Sequence, residues 1–160
     1  MQIRIHPVGE QDRTWIRSML EENWGSADVI TRGKLHHADQ LDGYTARIDG
    51  EYVGLVTFRI ENDECEMVTL NSLEEGIGIG TRLVRAVVEY ARRAGCVRVW
   101  LITTNDNTPA MAFYQVQGFR MLRIHYDAIR ESRRQKPEIP EYGIDSIPIR
   151  DEIEMEFRLK

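Results

Sequence analysis

The sequence has little cysteine and no long apolar run, and both features narrow the class of protein. Only two cysteines, Cys65 and Cys96, occur among the 160 residues, with no CxxC, HxH or HExxH spacing. We therefore expect two buried, reduced thiols and no metal site. No apolar stretch approaches the roughly eighteen residues of a membrane-spanning helix, and the first residues alternate in polarity instead of forming a signal segment. A cytoplasmic protein with no membrane partner is expected.

Positive charge is also scarce. Lysine and arginine number 21 against 26 aspartates and glutamates, which gives a formal net charge of −5. A general nucleic-acid surface needs clustered cations, so this balance argues against nucleic acid as a partner and suits a cationic small molecule better. The composition, 42% apolar and 29% charged, is typical of one folded domain, and we assign residues 1–160 to it.

The spacing of apolar residues predicts strands and helices in alternation. Segment 23–40 is expected to form a short helix among loops, and the charged, proline-containing segment 127–150 a part-helical insertion between the last two strands. A second helix should begin at the glycine loop and end at Gly95, and a third should be capped by Thr108. Further predictions are a helix at 10–22 and strands at 2–6, 44–48, 52–60, 65–70, 96–103, 119–126 and 152–159.

Three glycines, Gly76, Gly78 and Gly80, alternate between a predicted strand and a predicted helix. Free backbone amides and the positive end of the helix dipole should meet there, which favours a phosphate ligand. The alternative is a tight turn, but a turn needs only one or two glycines. A nucleotide P-loop is disfavoured because no lysine follows Gly80. The dinucleotide fingerprint fails because Thr81 and Leu83 stand where glycine is required.

Two motifs resemble the GNAT-type N-acetyltransferase superfamily. Residues 75–80 resemble its Q/R-x-x-G-x-G/A signature for the pyrophosphate of acetyl-coenzyme A, except that Glu75 replaces the usual glutamine or arginine. The segment 105–119, NDNTPAMAFYQVQGF, resembles N-x-x-A-x-x-F/L-Y-x-x-x-G-F. The order of predicted strands and helices is similar too. A bacterial-type member with the GNAT fold is implied: mixed α+β, with helices flanking a twisted, mostly antiparallel sheet of about seven strands.

The resemblance implies that the protein transfers an acetyl group from acetyl-coenzyme A to a primary amine of a small molecule or peptide. Tyr114 corresponds to the general acid for the departing thiolate, and Glu66 is the candidate base, acting directly or through water. A coenzyme A-binding sensor without turnover remains the alternative. The resemblance assigns coenzyme binding to Leu70, Asn71, Ser72, Gly76, Ile77, Gly78, Ile79, Gly80, Thr81, Asn107 and Phe113.

Structural roles are open for several of these residues. Glu66 has the alternative of an outward, solvated position, Tyr114 that of core packing, and Asn107 that of ordering the loop before its helix. The last strand is expected to be exposed and able to pair across a homodimer. The acceptor pocket is expected around Trp24, His36, His37 and Tyr44. A basic cluster, expected as a solvated helix face or else a coenzyme phosphate contact, comprises Arg130, Arg133, Arg134 and Lys136.

Overall fold

The computed structural model describes residues 2–160 and contains nine strands and four α-helices in this range. The strands are β1 (Ile3–Pro7), β2 (Asp28–Thr31), β3 (Lys34–His37), β4 (Asp42–Ile48), β5 (Glu51–Glu61), β6 (Glu64–Ser72), β7 (Arg98–Thr104), β8 (Arg120–His125) and β9 (Glu152–Arg158). The helices are α1 (Arg13–Trp24), α2 (Ile79–Arg93), α3 (Thr108–Val116) and α4 (Ala128–Gln135). Apart from segment 23–40, the predicted elements are confirmed to within a few residues.

Seven strands form one sheet in the order β1-β4-β5-β6-β7-β9-β8. Among the strands of residues 2–160, only the β6–β7 pair is parallel, because α2 carries the chain back between these two strands. The expected mixed, mostly antiparallel sheet is thus confirmed. The prediction of an exposed last strand is wrong: β9 lies between β7 and β8, and the sheet edge falls on β8. The 127–150 segment carries the chain back past β8, so that β9 lies between β7 and β8.

Helices cover both faces of the sheet. The face that we call the α2 face carries the larger core, in which Leu83, Val87 and Ala91 of α2 pack on Val56 and Met155 of the sheet. The opposite face, which we call the α1 face, carries a smaller core of Ile16, Met19, Leu20, Ala27, Ala38 and Leu55. The two cores bury the apolar side chains of the central strands on both sides.

Segment 23–40 differs from the prediction, because it forms a two-stranded hairpin, β2–β3, followed by a short 3-10 turn. The hairpin turns at Arg32 and Gly33, whose φ angles are 50° and 75°. Two consecutive positive φ angles match the twist of antiparallel strands. Arginine at the first turn position hides the usual asparagine-glycine or aspartate-glycine signal, which explains the missed hairpin.

The hairpin is anchored to the α1 face by a buried chain of hydrogen bonds. The Thr31 hydroxyl donates to Glu66 Oε2 at 2.7 Å and lies 2.7 Å from His36 Nε2. Arg59 donates to the other Glu66 oxygen at 3.0 Å. Burial, with Arg59 and Lys34 nearby, lowers the pKa of His36 to about 4. The imidazole is therefore neutral in the folded protein at physiological pH.

The parallel pairing of β6 and β7 ends early. It runs from Glu64 opposite Arg98 to Met67 opposite Leu101 and goes no further. At the same point β6 has a bulge, where Val68 has no partner on β5. A bulge bends its strand and increases its twist. We call the gap beyond Met67 the β6–β7 split.

Gly54 allows the start of α2 to lie against β5. A Cβ atom there would stand 2.6 Å from Ile79 Cγ2 and 3.1 Å from Leu83 Cδ1. We predict that Gly54→Ala lowers the free energy of unfolding by about 1–3 kcal/mol, because neither neighbour can move without shifting α2. Chemical denaturation would measure this effect. An unchanged stability would contradict the close approach.

The buried His36 makes stability depend on pH. Because its pKa is about 4 in the folded state and 6.5 ordinarily, the unfolded chain binds an extra proton between these values, so stability is lost as the pH falls from 6.5 to 4. We predict that His36→Gln removes up to about 3 kcal/mol of this loss. Urea unfolding at several pH values would measure it. His37→Gln, which alters the exposed neighbour, is the matched control and should retain the wild-type pH dependence.

Candidate active site

A cavity of about 430 Å³ opens at the β6–β7 split, between the start of α2 and the start of α3. Its lining includes Leu70, Ser72, Gly76, Gly78, Ile79, Gly80, Thr81, Phe113 and Tyr114, together with Glu74, Glu75, Pro109 and Ala110. Most of the residues predicted to bind coenzyme therefore lie around one space. Glu66, Asn71, Ile77 and Asn107, which were also predicted, do not line it.

The alternation of glycine and isoleucine in the loop has a structural cause. Gly76 and Gly78 adopt φ angles of 79° and 86°, a region that favours glycine, and space lies open beside both. Ile77 and Ile79 pack against the core on the α2 face, and Ile79 also lines the cavity. The isoleucines hold the loop while the glycines leave its backbone exposed to the cavity.

The start of α2 offers unpaired backbone donors. Its first helical hydrogen bond runs from the Arg82 amide to the Gly78 carbonyl at 3.1 Å. Among the described residues, no protein group accepts a hydrogen bond from the amides of 78–81. Four free amides at the positive end of a helix dipole suit a phosphate or diphosphate group. The side chains of Glu74 and Glu75 are exposed and supply no cation, so the backbone carries the attraction.

Helix α3 closes the other side of the cavity. A Cβ atom on Gly80 would lie 3.2 Å from the Phe113 ring. The third glycine therefore allows close packing of the two helices, and it does not adopt a positive φ angle. Gln117 donates to the Thr81 hydroxyl at 3.0 Å, which ties the end of α3 to the start of α2. These two contacts fix the width of the cavity between the helices.

Beyond the bulge, successive residues of β6 face opposite sides of the sheet. Leu70 and Ser72 face the cavity. Asn71 pairs with Leu55, a residue of the smaller core, and so points to the α1 face. The Asn71 Oδ1 atom is buried, and no hydrogen-bond donor in the described chain reaches it. An unpaired buried oxygen of this kind is costly unless a ligand or water donates to it.

Tyr114 is the one predicted catalytic residue that lines the cavity. Burial raises the pKa of its hydroxyl above the usual value of 10.0. The phenol therefore stays protonated through the physiological range and can donate a hydrogen bond to an anion in the cavity. Its ring also packs against Phe113 and Phe119, so it has a structural role as well.

Glu66 lies on the α1 face and is 1% exposed. Its two oxygens accept from Thr31 and Arg59, so the expectation of an outward, solvated side chain is wrong. Burial raises the pKa of the carboxyl, and the hydrogen bond from Thr31 and the charge of Arg59 oppose that shift. The carboxylate anchors the hairpin beside Met67 and Leu101, the last residues that pair β6 with β7.

Three consecutive polar residues after β7 each accept hydrogen bonds from a different part of the chain. Asn105 Oδ1 accepts from the amides of Arg150 and Asp151 at 2.9 and 3.0 Å, and Asp106 accepts from the Ile144 amide at 3.1 Å. Asn107 caps α3 by accepting from the Ala110 amide at 3.2 Å, so the predicted Thr108 cap is wrong. The roles of residues 105 and 106 were missed, because only contact with the distant 127–150 segment reveals them.

The residues expected around the acceptor do not meet in one pocket. Tyr44 packs on Phe58 on the α2 face, whereas His36 is buried under the hairpin. Trp24 is 56% exposed, and His37 pairs with Asp28 at the rim of a separate polar cavity of about 310 Å³. These four positions were expected from the resemblance to the family, and the hairpin separates them.

The basic cluster lies on α4 and just beyond it, away from the lining of the cavity. Arg133 donates to the carbonyls of Ile139, Pro140 and Ile149, and Lys136 donates to the Asp28 carbonyl at 2.9 Å. Arg130 and Arg134 are exposed. Half of the cluster therefore braces the 127–150 segment and half forms the solvated face that the sequence predicts.

No helix among residues 2–160 is long and apolar enough to cross a membrane. Both cysteines are buried and free, as predicted. Within the same residues, no group of three or more histidine, cysteine, aspartate or glutamate side chains could hold a metal ion.

Known proteins resemble this chain in sequence and in fold. The uncharacterised protein YdhI of Bacillus subtilis is 39% identical over 150 residues, which cover 93% of this chain and 94% of YdhI. A Bacillus subtilis acetyltransferase solved in complex with CoA superposes with a TM-score of 0.72 at 19% identity, over 99% of this chain and all of that one. A GNAT family acetyltransferase from Elizabethkingia anophelis, solved with acetyl-CoA bound, gives 0.69 at 20% identity over 98% of both chains.

The sequence model of one family spans the cavity and both motifs. It describes the acetyltransferase (GNAT) family and matches residues 10–119, from the first helical turn through the glycine loop to the end of the second motif. The chain therefore belongs to the GNAT acetyltransferase family.

Proposed function

We propose that the protein is an N-acetyltransferase that transfers the acetyl group of acetyl-coenzyme A to a primary amine of a small molecule or peptide. The observation that carries this proposal is the set of unpaired amides at the start of α2, which open into a cavity that Tyr114 also lines. Family membership and the acetyl-CoA and CoA complexes of the structural neighbours support it.

The chain offers a separate feature for each part of the coenzyme. The amides of residues 78–81 would hold the diphosphate, and the open positions around Gly76 and Gly78 let it approach the backbone. The unpaired edge of β6 at Leu70 and Ser72 would hold the pantetheine arm. When bound, acetyl-coenzyme A supplies an activated thioester. Tyr114 then donates a hydrogen bond to the sulfur as negative charge develops there.

The acceptor amine must lose a proton before it can attack. An alkyl amine has a pKa of about 10.4, so only a small fraction is neutral at pH 7. Glu66 is our candidate base, and its raised pKa favours proton uptake. Because it is 1% exposed and hydrogen-bonded at both oxygens, we propose that it acts through water or through the Thr31 hydroxyl.

The 127–150 segment and the β2–β3 hairpin together form what we call the roof. Gln135 donates to the Gly33 carbonyl and Lys136 to the Asp28 carbonyl, both at 2.9 Å, so the segment braces the hairpin. We propose that the acceptor binds beneath this roof on the α1 face. If the protein forms a homodimer, we assign strand pairing to the edge strand β8, on which Met121 and Ile124 are 52% and 46% exposed.

Thiol release from acetyl-coenzyme A in the presence of amines tests the proposed function. We expect release with at least one amine among polyamines, amino acids, aminoglycosides and peptides. A thermal shift provides the binding readout, since ligand at about 100 times its Kd adds about 2.7 kcal/mol of stability. Tight binding with no release would instead support the sensor, for which the fully engaged carboxylate of Glu66 is the favouring observation.

Gly78→Ala should weaken coenzyme binding. Alanine at a φ angle of 86° costs about 1–2 kcal/mol, and relief of that strain moves the amides at the start of α2. We predict a rise of about tenfold or more in the Kd for acetyl-coenzyme A, measured by calorimetry. Gly95→Ala is the matched control, because Gly95 has a φ angle of 82° and open space around it but lies at the far end of α2. An equal loss of affinity in both variants would contradict the assignment.

Tyr114→Phe should slow turnover without abolishing it. The variant keeps the packing of the ring and removes the donor to the thiolate, so we predict a fall in kcat of about 10- to 100-fold with little change in the KM for acetyl-coenzyme A. Steady-state thiol release measures both constants. Tyr126→Phe, which alters a tyrosine that is 76% exposed, is the control and should be neutral. A wild-type kcat in Tyr114→Phe would contradict a catalytic role for the hydroxyl and would leave core packing as the role of the ring.

A further inference from the structure

The tip of the β2–β3 hairpin crosses one strand of the sheet beside the split. Thr31 donates to Glu66 on β6, and the Arg32 amide donates to both oxygens of Glu152 on β9, at 3.2 Å each. Strand β7 lies between β6 and β9 in the sheet. Glu152 pairs with Thr104, which lies beyond the last residue of β7 that pairs with β6. Glu152 is therefore level with the open end of the split.

Among the described residues, three glutamates are buried on the α1 face, and two of them are each paired with an arginine. Glu66 receives the Arg59 guanidinium at 3.0 Å. Glu154 receives Arg98 and His125, both at 2.9 Å. These pairs supply the partners that a buried carboxylate needs.

Glu152 is buried as deeply as Glu66, at 1% exposed, but its charge is poorly balanced. Its one cationic partner among the described residues is Arg32, whose guanidinium stands 3.5 Å away and whose side chain is 45% exposed. That contact lies at the outer limit of hydrogen bonding, and a half-exposed arginine can leave without breaking any core packing. A cation from outside the chain would therefore find a buried carboxylate beneath a side chain that is easily displaced.

A second acceptor atom lies on the same face. Asn71 Oδ1, on the opposite side of the split, is buried and has no donor among the described residues. An ammonium or guanidinium group carries several N–H donors and needs several acceptors. Asn71 and Glu152 stand on the two strands that flank β7, so they offer acceptors at two separate points of the α1 face.

Resting on the proposed function, we propose that Glu152 binds a cationic group of the acceptor, and that the Arg32 guanidinium holds this place when no acceptor is bound. The amine that attacks the thioester must be neutral, so the group at Glu152 is a second cation of the same molecule. The acceptor class is therefore an amine with a second positive charge, as in a diamine.

The test measures kcat and KM for short α,ω-diamines and for the 1-aminoalkanes of the same lengths. We expect the wild type to favour the best diamine over its monoamine by about tenfold or more in kcat/KM, the value of one charged hydrogen bond. Glu152→Gln should erase this preference by raising KM for the diamine while kcat changes little. Arg32→Gln should lower that KM several-fold, because it removes the competing guanidinium.

The control is Glu156→Gln, the same change on the same strand and the same face, at a carboxylate already paired with Arg98 at 3.0 Å. It should keep the wild-type preference. If acetyl-coenzyme A binds but no amine releases thiol, the proposed function fails and this inference fails with it. If amines react but diamines show no advantage, or the advantage survives in Glu152→Gln, this inference alone fails. Should Glu152→Gln not fold, an unchanged KM in Arg32→Gln overturns the inference.

Discussion

The early end of the β6–β7 pairing determines where the other parts of the candidate active site lie. Beyond Met67 and Leu101 the backbone groups that face the gap have no partner across it, and buried groups of this kind need hydrogen bonds from elsewhere. The split also lets the start of α2 open toward the gap. A bound molecule can thus meet strand edge and helix end in one cavity, while the remaining pairs of the sheet keep the two strands from separating further.

The sheet divides the site into two sides with different chemistry. On the α2 face, backbone amides and aromatic rings surround the cavity, and no basic side chain lines it. On the α1 face, carboxylates and hydroxyls lie under the hairpin. Under the proposed function this division suits the net charge of the chain, since main-chain donors would bind the anion and the acidic side chains would meet a cationic partner. In the proposed reaction, the split is the passage between the two sides.

The sequence was sufficient to predict the parts of the structure that local rules govern. Periodicity predicted the sheet strands and helices, and the alternating glycines predicted the free amides at the start of α2, because a positive φ angle and an exposed amide are local properties. The hairpin was missed because Arg32 occupies a turn position where asparagine or aspartate is typical. The position of β9 was mispredicted because strand order depends on where a long connection crosses the sheet.

Site prediction failed where the outcome depends on which face a side chain takes. The bulge at Val68 shifts the alternation of β6. Asn71 therefore faces the α1 side of the sheet, whereas Leu70 and Ser72 face the cavity. Asn105 and Asp106 looked like loop residues, and their partners lie about 40 positions later in the chain. Long-range pairing of this kind leaves no trace in composition or spacing.

The two isoleucines of the glycine loop have a consequence for the energetics of association. Because Ile77 and Ile79 are already packed into the core, the loop is held in its shape before any ligand arrives. Little conformational entropy is then lost when an anion is captured, and more of the contact energy remains as affinity. A flexible run of glycines would lose that advantage, so preorganisation of this loop depends on isoleucine side chains that are packed in the core.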